Sequence, residues 1–256
     1  MRRAPTLLAV IAAFVTIFSA ISAAPAASNP TIDDELHLQL TFSLWATSID
    51  GSLQVENLRA NVDACFSELI HDANYAFNPG AELTKGNWVL SFNMTFSKIS
   101  SDLKTPIGTD LGVQSTIGSW YVLVGYTVLR HQFDNGMTLA LTPGAGVQIT
   151  YADNKIDPQF IPSQQATDTF FDPVIGGRIV LGLSRQLDWR TEGTIGGFGI
   201  GSQLTWSAGS YLDWKFAENF ALSAGYRAMA WDYDLSASHV DLILHGPWIG
   251  LTWKPF

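Results

Sequence analysis

The feature that most restricts this chain is alternation of apolar and polar residues over runs much longer than an ordinary strand. From Leu36 to Ala46 the even positions are Leu36, Leu38, Leu40, Phe42, Leu44 and Ala46, and the odd ones are His37, Gln39, Thr41, Ser43 and Trp45. Trp88, Leu90, Phe92, Met94 and Phe96 alternate with Val89, Ser91, Asn93, Thr95 and Ser97. The same pattern recurs in Gly118 to Val128, Met137 to Tyr151, and the stretches around 171–184, 189–195, 204–215, 220–230 and 240–253. A period of two puts one set of side chains on each face of a strand.

Runs of eleven to fifteen residues exceed the usual soluble strand of about 5–6 residues. They suit a tilted strand crossing a bilayer, which needs about 9–11 residues plus its ends. Aromatic residues fall near the predicted strand ends: Trp45, Trp88, Trp120, Tyr151, Trp189, Trp206, Trp214, Trp231 and Trp253. This is the placement of an interfacial girdle. Short connections at Lys85-Gly86-Asn87, Asp134-Asn135-Gly136, Arg185-Gln186 and Ala217-Glu218-Asn219 alternate with others at 47–74, 100–116, 153–169, 200–203 and 234–239. Tight periplasmic turns alternating with external loops are the habit of outer-membrane barrels. The expected fold is all-β, a transmembrane antiparallel up-and-down β-barrel of about ten strands. Eight or twelve stay open because of the first long connection. There Asp50-Gly51 reads as a hairpin turn, and Val62, Cys65, Phe66, Leu69 and Ile70 follow helical spacing. A short helix is expected in that loop or in the lumen, with residues 57–74 lying above the barrel or plugging it.

Arg2 and Arg3, the apolar run Leu7 to Phe18 and the small residues after it have the order of a secretory signal peptide. We expect residues 1–26 to be that signal, 27–35 a short periplasmic segment and 36–256 the barrel. Removing two arginines takes the net charge from −9 to −11. No basic excess exists to neutralise phosphates, so nucleic acid is not an expected partner. The single cysteine, Cys65, excludes an internal disulfide and a cysteine-based zinc cluster.

Parity projects Glu82, Arg178, Arg190, Glu192, Asp213, Lys215 and Arg227 into the lumen. Charges in a narrow barrel need partners, because unpaired burial is costly. They form either a structural ion-pair network or a polar path. Ten strands are too few for a wide aqueous channel, which takes about sixteen. No histidine pair has HExxH or HxxxH spacing, so neither a metal site nor a cofactor is expected. Asp232, Asp234, His239 and Asp241 flank the last external connection. An acid–histidine pair at a rim can activate water as a general base, and the same residues equally make a solvated rim. In the last strand Pro247 implies a bulge or an altered register; Ile249, Leu251 and Trp253 then alternate before the terminal Phe256, and Pro255 puts Phe256 out of phase. Trp253 and Phe256 are the candidate barrel-assembly signal.

Several stretches carry a resemblance. They are Ile49-Asp50-Gly51-Ser52-Leu53, Asn61-Val62-Asp63 and Phe66-Ser67-Glu68-Leu69-Ile70; Lys85-Gly86-Asn87-Trp88; Asp172-Pro173-Val174-Ile175-Gly176-Gly177-Arg178; Ile195 to Ser202 with Leu204-Thr205-Trp206; and Gly225-Tyr226-Arg227, Asp232-Tyr233-Asp234 and His245-Gly246-Pro247. Over residues 40–256 the chain resembles a family of uncharacterised outer-membrane β-barrel proteins of Gram-negative bacteria. The resemblance implies a fold and a location in the cell outer membrane; it lends no catalytic residue. The expected partners are outer-membrane lipids, lipopolysaccharide and the barrel-assembly machinery, around a monomer. The leading expectation is a structural or surface-interaction role, or a narrow small-solute path through a largely blocked lumen. The alternative is a membrane-embedded hydrolase of lipid A, lipid or peptide with a site at the extracellular rim.

Overall fold

Alternation dictates strands, and hydrogen bonding dictates how they close. The computed structural model describes residues 34–55, 58–64, 75–104, 110–158, 162–235 and 238–255. The strands are β1 (Leu36–Trp45), β2 (Ser48–Val55), β3 (Leu58–Ala64), β4 (Tyr75–Phe77), β5 (Gly80–Lys85), β6 (Trp88–Lys104), β7 (Asp110–Tyr126), β8 (Leu129–Gln132), β9 (Thr138–Pro158), β10 (Gln164–Gly182), β11 (Leu187–Gly197), β12 (Leu204–Ala217), β13 (Phe220–Leu235) and β14 (Ser238–Trp253). Several are halves of one stave. β1 and β2 both pair with β14 in an unbroken register, from Leu40↔Trp253 to Val55↔Ser238. β4 and β5 likewise share one register against β6, broken only at Asn78-Pro79. β7 and β8 both pair with β9, with a one-residue slip at Thr127-Val128. With β3 hydrogen-bonded only to β2 among the described residues and so outside the closed ring, the result is a closed antiparallel barrel of ten staves, sealed by the pairing of the first with the last.

Three details differ from the sequence reading. Asp50-Gly51 is not a turn; it lies mid-strand in β2, opposite Ile243 and Leu242, and the hairpin turns after Val55. Val62 belongs to β3, not to a helix, and no helix occurs among the described residues; positions 65–74 of the expected helix and plug lie outside them. Pro247, expected to force a bulge or a register change, does neither. It only removes an N–H from the ladder, and its carbonyl still accepts from Ala46 N at 2.9 Å.

The strands also run further than the alternation suggested. Positions 100–104, 110–116, 153–158 and 164–169, read as loops, are strand. β9 has 21 residues. At about 3.3 Å per residue and a tilt near 40° it stands about 50 Å tall, roughly twice the ~25 Å apolar band of such barrels. The sheet therefore continues well beyond a bilayer on the side away from the tight turns. The β11–β12 hairpin is the exception: it turns at Phe198–Gln203, while its neighbours β10 and β13 climb on without it.

Outside, the barrel wears an apolar belt. Phe42, Leu44, Phe92, Val122, Val124, Val147, Phe171, Ile175, Leu212, Ile249 and Leu251 are all exposed. Near the tight-turn end Trp88, Tyr126, Trp189, Trp214, Phe216 and Trp253 form an aromatic ring. A closed sheet with such a belt has no unpaired edge and a greasy exterior, which is the condition for spanning lipid. The protein is an outer-membrane β-barrel.

Candidate functional site: a charged lumen under an apolar plug

The inner faces hold two zones. At the tight-turn end the inner faces of β1, β5–β7 and β9–β14 surround a polar cavity of about 270 Å³. Glu82 on β5 accepts two bonds from Arg178 on β10, at 2.6 and 3.0 Å, and a third from Ser91 Oγ at 3.2 Å. Arg190 on β11 grips Asp213 on β12 through Nε at 2.8 Å and Nη2 at 3.2 Å, and donates from Nη1 to Glu192 at 2.9 Å. Its guanidinium also lies 4.3 Å from the centre of the Tyr211 ring. Two-pronged arginine–carboxylate pairs are the strong, directional kind. The Arg178–Glu82 pair is a cross-barrel brace, because it joins staves that backbone bonds do not, whereas Arg190 ties together the neighbouring β11 and β12. Towards the mouth Lys215 pairs with Asp188 at 2.6 Å. Burial and the neighbouring Lys215 charge push the Lys254 ammonium below the usual lysine range.

Arg227 stands apart. It lies on β13 at the inner end of the cavity and is 6% exposed. It reaches Asn78 Oδ1 only at 3.5 Å and lies 5.4 Å from the Trp45 ring centre.

Above this zone the lumen turns apolar. Trp45, Ile49, Ile117, Ile156, Phe170, Met229, Trp231, Tyr233, Val240, Leu242 and Leu244 pack into one cluster. Phe170 and Tyr233 rings are 4.8 Å apart, and Tyr233 accepts from Asn154 Nδ2 at 2.9 Å. Parity explains the placement: each of these sits on the inner face of its stave. Trp45 and Trp231, expected in the girdle, are thus inside, 3% and 1% exposed. Together with Trp248 they are tryptophans whose phase, rather than their position near a strand end, decides the side they take.

Asp232, Asp234, His239 and Asp241 are brought together by register, Asp232 opposite Asp241 and Asp234 opposite His239. Their parity puts them on the outward face of the extension, not in the lumen. Partial desolvation and the facing Asp241 carboxylate hold the Asp232 carboxyl above the usual carboxylate range. No group of three or more histidine, cysteine or acidic side chains among the described residues is arranged to hold a metal. Trp253 faces outward at the tight-turn end; Phe256 lies outside the described residues.

One arrangement escaped the sequence reading. Tyr226 OH and His245 Nδ1 are 2.6 Å apart, and His245 Nε2 is 2.8 Å from Asp50 Oδ2. This Tyr226–His245–Asp50 chain crosses three neighbouring staves on the outward face, just beyond Leu44 and Ile249 of the belt. The signal available was phase: a histidine on the Ile249–Leu251–Trp253 face interrupts an otherwise apolar set. Its partners, 19 and 195 positions away, needed the barrel to close.

No family model matches the chain, and no curated relative does. Solved structures do. The outer membrane protease OmpT of Escherichia coli aligns over 90% of this chain and 100% of its own at 7% identity, TM-score 0.48. The translocator domain of the autotransporter NalP of Neisseria meningitidis aligns over 97% and 96% at 12% identity, TM-score 0.47. Ail, the attachment invasion locus protein of Yersinia pestis, aligns over 87% and 99% at 9% identity, TM-score 0.34.

Proposed function

We propose that this protein is a sealed outer-membrane barrel with a structural or surface-interaction role, and not a channel through its lumen. One observation carries the reading: the lumen is polar and open at the tight-turn end and then filled with packed side chains, mostly apolar from Trp45 through Trp231 to Leu244, with Thr150, Asn154 and Asp172 buried among them. A solute path needs a continuous opening, which close-packed side chains do not leave. The extension above the belt, with Asp153, Asp157, Asp232, Asp234 and Asp241 on the outward phase of its described strands, offers acidic groups to a cationic partner. The reading places the chain among the Gram-negative outer-membrane barrels whose motifs it resembles. It takes residues 1–26 as a signal peptide, Trp253 and Phe256 as the assembly signal, and lipopolysaccharide as the surrounding lipid of a monomer. Planar-bilayer recording of the purified barrel tests it. The expected result is no steady conductance; a stable open level contradicts the sealed lumen.

A second reading has its own support. The Tyr226–His245–Asp50 chain has the layout of an acid-oriented histidine acting on a hydroxyl, set at the edge of the lipid belt where a lipid carbonyl would lie. A hydrolase of lipid A, phospholipid or peptide using it would lose all activity in His245→Ala and most of it in Asp50→Asn. No cleavage of any of these by the wild type in a defined bilayer removes this reading.

A further inference from the structure

We propose that the lumen cavity is a binding site for a small organic monoanion, a carboxylate or phosphate ester entering from the tight-turn end, with Arg227 as its anchor. The cavity is lined by five cations, Arg178, Arg190, Lys215, Arg227 and Lys254, and by four carboxylates, Glu82, Asp188, Glu192 and Asp213. The pairings are uneven. Arg178 is taken by Glu82, Arg190 by Asp213 and Glu192, and Lys215 by Asp188, which leaves Lys254 at the tight-turn end and Arg227 at the inner end outside these pairs. Arg227, the most deeply placed, has no carboxylate within 4.0 Å among the described residues, and uses one of its donors on a long contact to Asn78. A guanidinium carries five N–H donors. Burying one with so little compensation is unfavourable unless something else supplies the charge.

A second donor points the same way. Trp248 lines the cavity, and its indole N–H is buried without a partner. An indole N–H only donates, so a ligand satisfying it brings an acceptor. The Tyr211 and Trp248 rings, 4.7 Å apart and edge to face, offer an apolar wall beside these donors. Ser91, Asn93 and Gln39 line the way in. The site thus has a charged anchor, a second donor, an aromatic flank and a polar approach, and its single surplus positive charge matches one negative charge. About 270 Å³ admits a compact solute or one headgroup. The apolar plug beyond it leaves no exit at the other end, so the geometry is that of a receptor pocket.

The test uses the full barrel in detergent, titrated with acetate or inorganic phosphate and, at equal ionic strength, with sodium chloride. Tryptophan emission and the thermal midpoint are both followed. The wild type is expected to give a saturable emission change and a rising midpoint with acetate or phosphate and not with chloride. Arg227→Met is expected to abolish both responses while raising the midpoint measured without anion. Trp248→Phe and Arg227→Lys keep bulk or charge and are expected to weaken the apparent affinity at least about fivefold; they decide the matter if Arg227→Met does not fold. No saturable response in the wild type, an equal response to chloride, or an undiminished response in the variants overturns the proposal.

Discussion

At the scale of single residues, side-chain phase outweighs residue type. Arg190 is held by Asp213 and Glu192 inside the barrel, and removing one partner of a buried pair costs about 3–5 kcal/mol. Asp213→Ala should therefore destabilise the barrel by that order in urea unfolding from detergent, and Asp213→Asn by less, since an amide oxygen still accepts. Trp231, 1% exposed in the plug, should cost about 3–5 kcal/mol as Trp231→Ala; a change within 0.5 kcal/mol would mean that it lies in the girdle after all. Asp232 behaves in the opposite sense. Its carboxyl is held above the ordinary range by partial desolvation and by Asp241. The folded state therefore binds that proton more tightly than the unfolded chain does, and the stability so gained is lost as pH rises through the folded-state value. Asp232→Asn should raise the thermal midpoint at pH 7, and that gain should vanish in acid, below the ordinary carboxylate range. A gain that persists there contradicts the assignment.

At the scale of elements, the alternation revealed which segments were strands but not where they stopped. The tight turns at Gly86-Asn87, Asp134-Gly136, Ser184-Gln186 and Glu218-Asn219 were legible because turn residues punctuate them. The far ends were not. Residues 100–104 and 153–158 are rich in Ser, Asp, Asn and Lys and look like loop, yet they pair in register from Lys98↔Thr116 to Lys104↔Asp110 and from Thr169↔Tyr151 to Gln164↔Ile156. Outside lipid the outward face has no reason to be apolar, so the pattern fades where the hydrogen bonds do not. The β11–β12 connection shows how such an end is tied down. Asp172, fully buried, accepts from Ser202 N at 2.7 Å and from Ser202 Oγ at 2.9 Å, drawing the connection against β10. Hydrogen bonds to a buried carboxylate are worth about 1.5–3 kcal/mol each. Asp172→Ala should cost about 2–4 kcal/mol and raise amide exchange at 199–203 without disturbing the β9–β10 ladder; unchanged exchange there contradicts the anchoring role. Within β9, a Cβ at Gly146 would stand 1.9 Å from the Val122 carbonyl oxygen, so this strand crossing tolerates only glycine.

At the scale of the whole molecule, closure makes the site. Glu82 and Arg178 are 96 positions apart, and His245 and Asp50 are 195 apart. Parity could assign Glu82, Arg178, Arg190, Glu192, Asp213 and Arg227 a face, but not which pairs with which, nor that Arg227 is left over. The plug was illegible for a related reason: its apolar residues lie on the inner phase, where a barrel reading expects polar ones, and only the three-dimensional stacking of Ile49, Phe170, Trp231 and Leu244 shows that they meet. One face against lipid, another filled by its own side chains, is the basis of the fold, the location and the sealed lumen alike. Spin labels placed singly along β14 from Ile243 to Trp253, in a Cys65→Ser background reconstituted in bilayers, measure that arrangement directly. Labels at 249 and 251 should collide freely with oxygen and hardly with a water-soluble nickel chelate, labels at 248 and 250 should be shielded from oxygen, and nickel contact should rise at 243 and 245. Equal oxygen contact at even and odd positions, or nickel reaching 249 and 251, would contradict the account.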